Sequence, residues 1–142
     1  MKTSYSKSFA SIALGALIAL TLAGCASTKS EPAQSVSILE PVDNTTVGTT
    51  FKVRFGVKGL QVAPAGDIVA NSGHHHLLIN LDAVPSGESV PFSDRHLHFG
   101  QGQTETEVKL APGTYKLTAQ FANGAHQSYG KPLSHTIRVT VK

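Results

Sequence analysis

The sequence predicts an all-β domain over residues 36–142, an antiparallel β-sandwich of about seven strands. Strict alternation is the first reason: in FKVRFGVK, Phe51, Val53, Phe55 and Val57 share one face while Lys52, Arg54 and Lys58 share the other, the pattern of a half-buried strand. Turn chemistry between alternating segments is the second, at Pro85-Ser86-Gly87, Gly100-Gln101-Gly102 and Pro112-Gly113. The third is LAPGTYKLTAQF, which has the form of a tyrosine corner: a turn, then Tyr115 opening a strand whose Leu117, Ala119 and Phe121 point inward. Its hydroxyl is expected to bond back to backbone near Leu110 or Ala111, as in immunoglobulin-like and fibronectin-like sandwiches.

The predicted strands follow in order. SVSIL sets a strand over 36–40, and FKVRFGVK one over 50–58. HHHLLINL gives 74–81, with His75 in register with Leu77, Ile79 and Leu81; RHLHF gives 95–99. TETEVKL, TYKLTAQFA and HTIRVTV supply 104–110, 114–121 and 135–141. There is no internal repeat and no long helical pattern. A core of this size closes without staples in a domain of about 100 residues.

Ahead of the domain, Lys2 and Lys7 precede an apolar run from Phe9 to Leu22, shorter than the roughly 20 residues needed to span a bilayer. Leu22-Ala23-Gly24-Cys25 resembles a bacterial lipobox, which implies a lipoprotein signal peptide over 1–24 and lipidation of Cys25. Residues 25–35, small and polar with Pro32, suit a lipidated tether. Ala26, where an inner-membrane retention signal has Asp, directs the expectation to the outer membrane, facing the periplasm.

Removal of the leader leaves ten basic against nine acidic residues, so the basic character of the whole chain is no sign of a nucleic-acid partner. It also removes the sole methionine, while the sole cysteine carries lipid. No disulfide forms, and any metal must be held without sulfur.

All seven histidines lie between residues 74 and 135: His74, His75, His76, His96, His98, His126 and His135. In the predicted topology four separate segments bring them to one end of the sandwich. Residues two apart on a strand share a face, so His74 pairs with His76 and His96 with His98. These four form the expected ligand core, with His126 and His135 as further or supporting ligands and His75 at the rim. Asp67, Asp94 and Glu105 are near enough in sequence to offer oxygen. An all-imidazole set suits Cu(II) or Zn(II) better than Cu(I), which recruits sulfur.

SGHHHLLINLD, HLHFGQGQTETEVKLAPGTYKLTAQFANGAH and HTIRVTV together resemble a family of small exported bacterial proteins, domain of unknown function 4399, with GHHHLL and HIHFGxGQTE-like runs. The resemblance spans roughly Ser37 to Lys142, with Leu97 in place of the expected isoleucine. It implies the same sandwich and histidine-rich end, without an activity.

The leading expectation is a lipid-anchored periplasmic module that stores, buffers or delivers Cu(II) or Zn(II), its partners being the membrane, the metal and another envelope protein. The alternative is a cell-envelope interaction module with a non-metal histidine network, its long segments GLQVAPAGDIVANSG and AVPSGESVPFSDR carrying recognition. A metalloenzyme has the least support. HLHFG partly resembles the H-x-H-x-F-G run of copper–zinc superoxide dismutases, but their disulfide pair and zinc subsite are missing. Ser72, Ser93 and Ser128 lack a nucleophile-elbow context, and no catalytic residue is assigned.

Overall fold

The computed structural model describes residues 33–142; the expected signal peptide over 1–24, Cys25 and most of the tether lie outside the described residues. The strands are β1 (Ser35–Glu40), β2 (Thr45–Val47), β3 (Thr50–Lys58), β4 (Gln61–Val62), β5 (Ser72–Ile79), β6 (His96–His98), β7 (Glu105–Lys109), β8 (Gly113–Ala122) and β9 (Ser134–Val141). A 3-10 turn, Lys131–Leu133, precedes β9. Among the described residues no helix is long and apolar enough to cross a membrane.

Two sheets face each other. One is β1-β3-β7, antiparallel throughout; the other runs β2-β9-β8-β5-β4, with β6 also pairing with β5. Seven of these strands match the predicted ones to within two residues at each end. The other two, β2 and β4, are too short to show alternation, and they pair in parallel with β9 and β5, so the sheets are not wholly antiparallel. The predicted fourth strand becomes β6 and pairs with β5. In a constant-type immunoglobulin domain that strand belongs to the opposite sheet.

The inward residues of both sheets make the main core, including Val53, Phe55, Leu77, Leu117, Phe121 and Ile137. Tyr115 Oη donates to the carbonyl of Ala111 at 2.9 Å, the expected corner at the start of β8. A second, smaller core lies on the outer face of the larger sheet, where Val84 and Val90 fold back onto Leu78 and Ala122. This returning segment is held by buried polar groups. Gln120 accepts from Val84 N at 3.1 Å and donates to the carbonyls of Phe121, Gly130 and Leu133, while Ser128 Oγ donates to Val84 O at 2.8 Å. With both faces covered, all eight residues of β5 are buried.

The corner gives a direct test of this architecture. Tyr115→Phe removes one hydrogen bond and little packing, so urea unfolding is expected to show a loss of about 1 kcal/mol with an unchanged m-value.

Candidate metal centre

The centre is built from the first residues of β5. Gly73 lies so close to β8 that a Cβ there would meet the carbonyl oxygen of Ala122, so the strand enters the sheet on a glycine. From that point the pleat sends His75 inward with Leu77 and Ile79, and His74 and His76 outward with Leu78. β6 then aligns His98 directly opposite His76. Gly100 leaves room for the His98 ring, because a Cβ at that position would collide with it.

The loop between β8 and β9 brings the fourth imidazole. Asn123 Oδ1 accepts from the amides of Ala125 and Gln127 at 2.9 and 3.0 Å, and the amide of His126 donates to the Asn123 carbonyl at 2.9 Å. His126 thereby takes a left-handed backbone, with φ of 62°, uncommon for a residue other than glycine. The turn directs its ring at His98.

Four imidazoles consequently meet on the outer face. His74 and His76 approach through their Nε2 atoms at 3.1 Å, and His98 and His126 through theirs at 3.0 Å. Ring centroids within the group are 4.7 to 6.0 Å apart. Each of His74, His76 and His98 offers a ring nitrogen within 4.8 Å of the others, so these three can hold a metal ion. Zn–N bonds of about 2.0–2.1 Å imply neighbouring nitrogens about 3.3 Å apart in a tetrahedron, and about 2.9 Å in a square. The observed 3.0 and 3.1 Å separations lie in that interval.

The electrostatics favour the ligating form. Burial, then the charges of His98 and His126, lower the pKa of His74 to about 4. Burial and the neighbouring imidazoles take His76 lower still, and burial followed by His126 lowers His98. Neutral imidazoles with free lone pairs are what a divalent cation needs.

The remaining histidines stand apart. The expected quartet of His74, His76, His96 and His98 is not the group that assembles. His96 pairs in register with Leu78, two pleats or roughly 13 Å along the sheet from His74, and its Nδ1 meets Ser93 Oγ at 2.8 Å. His126, expected as a further or supporting ligand, meets His98 through Nε2 at 3.0 Å but is not one of the three residues whose nitrogens all lie within 4.8 Å of one another. His135 lies on the opposite face, where its Nδ1 accepts from Ile38 N at 3.0 Å and ties β9 to β1. His75 is in the main core, stacked on Phe55 with centroids 4.9 Å apart and edge-on to Phe121 at 5.0 Å. Neither of its ring nitrogens has a hydrogen-bond partner among the described residues. Glu105 pairs with Lys52, and neither Asp67 nor Asp94 joins the histidine group.

Two residues of the site escaped the sequence reading. Phe92 lies 5.3 Å from both His98 and His126, ring to ring, although it is 68% exposed. Gln120, paired in register with His76, anchors the segments that cover this face. A Gln among the inward residues of TYKLTAQFA looks like an ordinary solvent-facing position; an aromatic between Pro91 and Ser93 was the available signal for Phe92.

Fold and site together define a β-sandwich with a buried histidine cluster outside its main core. The chain belongs to the family described as Domain of unknown function (DUF4399), which matches residues 53–142. Among solved structures it is similar to the endo-beta-1,4-mannanase from Thermotoga petrophila, at 12% identity and a TM-score of 0.49. That likeness covers 82% of this chain but 21% of the mannanase chain, and it carries no argument here. No curated protein matches the chain.

The core position of His75 makes stability depend on pH. Burial, then the charge of His74, lowers its pKa from 6.5 to about 4. The unfolded chain therefore takes up the proton first as pH falls. For the protein stripped of metal with a chelator, stability should fall as pH drops below 6.5, the His75 contribution being lost between 6.5 and about 4. The His75 share of that fall is about 3 kcal/mol, so urea midpoints of His75→Leu should change less between pH 7 and pH 4.5 than those of the unaltered chain.

Proposed function

We propose that this protein is a metal-binding module of the bacterial cell envelope that holds Cu(II) or Zn(II) for storage, buffering or delivery. The observation that carries the reading is the approach of four Nε2 atoms in two pairs at 3.0 and 3.1 Å, drawn from β5, β6 and the β8–β9 loop. Two of these rings are fully buried, and burial lowers their affinity for protons, so they remain ligands at neutral pH. The composition supports the same class of metal, since the chain behind the lipobox contains no sulfur apart from Cys25.

The cellular setting in this proposal comes from the lipobox and Ala26: a lipid on Cys25, an outer-membrane anchor and a domain facing the periplasm. An envelope partner that donates or receives the metal completes it. Without metal, the same four rings would form two N–H···N hydrogen bonds, which is the interaction-module reading.

Elemental analysis after dialysis of the purified, untagged protein against Cu(II) or Zn(II) separates the two. One metal per chain is expected, and His98→Ala and His126→Ala should each lower affinity by at least about 100-fold while the domain stays folded by circular dichroism. His96→Ala and His135→Ala should retain the metal. No bound metal, or loss caused by His96→Ala rather than His126→Ala, would overturn the assignment.

A further inference from the structure

The four imidazoles are not equally placed. His74 and His76 sit on β5 with no exposed surface, whereas His98 and His126 are only partly buried. A metal ion, or a ligand competing for it, must therefore pass on the side of His98 and His126. On that side stands Phe92, whose ring is 5.3 Å from each of the two, edge-on to His98 and tilted against His126.

Other large apolar residues are as exposed, Val42 and Ile68 among them, but Phe92 is the one whose ring lies against both outer histidines. Its neighbours in sequence supply the mechanical context. Gly87 N donates to Ser128 O at 2.8 Å, Ser128 N to Glu88 O at 2.8 Å, and Val90 N to His126 O at 2.9 Å. The segment carrying Phe92 and the loop carrying His126 are thus zipped together just before each reaches the cluster. The backbone is tied on either side of Phe92, at Val90 to His126 and at Ser93 to His96, and the Phe92 side chain is exposed between them.

We propose that Phe92 is the gate of the metal centre: its ring covers the outer pair of ligands and must swing aside for metal to load and for a competing ligand to remove it. The proposal rests on the metal-binding reading above. As a gate, the ring acts on the barrier and not on the equilibrium. It offers no atom that would bond the metal, and it obstructs passage equally in both directions. Its apolar edge also keeps water and small chelating ligands from associative attack on the outer side. For a protein that hands metal to an envelope partner, displacement of an exposed aromatic ring is a means by which docking itself could open the site.

The test uses the full mature protein without a tag, loaded with Zn(II), and stopped-flow release to the chromophoric chelator 4-(2-pyridylazo)resorcinol, with loading followed in the reverse direction. Phe92→Ala should still bind one Zn(II) per chain, with loading and release both about tenfold faster, the size expected when contacts of one aromatic ring leave the barrier. Its Kd should remain within about threefold, because matched changes in the two rates cancel. Phe92→Leu, which restores apolar bulk, should return most of the slow exchange. Unchanged rates in Phe92→Ala would overturn the gate. So would faster release with unaltered loading and a correspondingly weaker Kd, since Phe92 would then merely support the ligands. Failure of the unaltered protein to bind Zn(II) or Cu(II) would instead remove the metal-binding reading, and the gate with it.

Discussion

Strand β5 is covered on both faces, and the rest of the molecule is arranged around that constraint. Its inward side belongs to the main core between the sheets. Its outward side would be solvated in a simple sandwich, but here the segment between β5 and β6 and the loop after β8 fold across it. Gln120 and Ser128 hold that cover by satisfying buried backbone groups, which makes burial of a polar face tolerable. The result is a low-dielectric pocket for His74 and His76 that no loop alone would provide.

Burial of this kind is costly unless something compensates it. The Nδ1 atoms of His74 and His76 and both nitrogens of His75 have no partner among the described residues. Unsatisfied buried polar groups typically cost about 1–3 kcal/mol each. For His75, stacking on Phe55 and Phe121 offsets part of that cost. In the outer cluster the Nε2 atoms meet in two pairs, and the Nδ1 atoms of His74 and His76 stay without a partner among the described residues whether those pairs share a proton or a metal ion. The cluster is expensive as a structural element and well suited as a ligand set.

Much of this was legible in the sequence, for identifiable reasons. Alternation exposed the long strands, and the tyrosine corner set their register, because both depend on local spacing. The order of the strands brings His74, His76, His98 and His126 together, but it does not gather all seven histidines at one end. The choice among histidines was not legible, because it depends on which pleat of β6 faces which pleat of β5. A register that sets His98 against His76 necessarily sets His96 against Leu78. His126 joined because Asn123 builds a turn that a sequence pattern does not display, and Phe92 because a long segment returns over the sheet. His135, expected as a further or supporting ligand, pairs in register with Ala119, and its partner is the amide of Ile38, 97 residues earlier in the chain.

The central claim is that Nε2 of His74, His76, His98 and His126 bind one metal ion together. Long-range proton–nitrogen NMR of uniformly ¹⁵N-labelled protein, recorded while Zn(II) is added, reads each imidazole nitrogen separately. The account predicts that these four Nε2 resonances move together and reach their end point at one equivalent, while His75, His96 and His135 keep their tautomeric patterns. Participation of His96, or four Nε2 resonances unmoved by Zn(II), would contradict it.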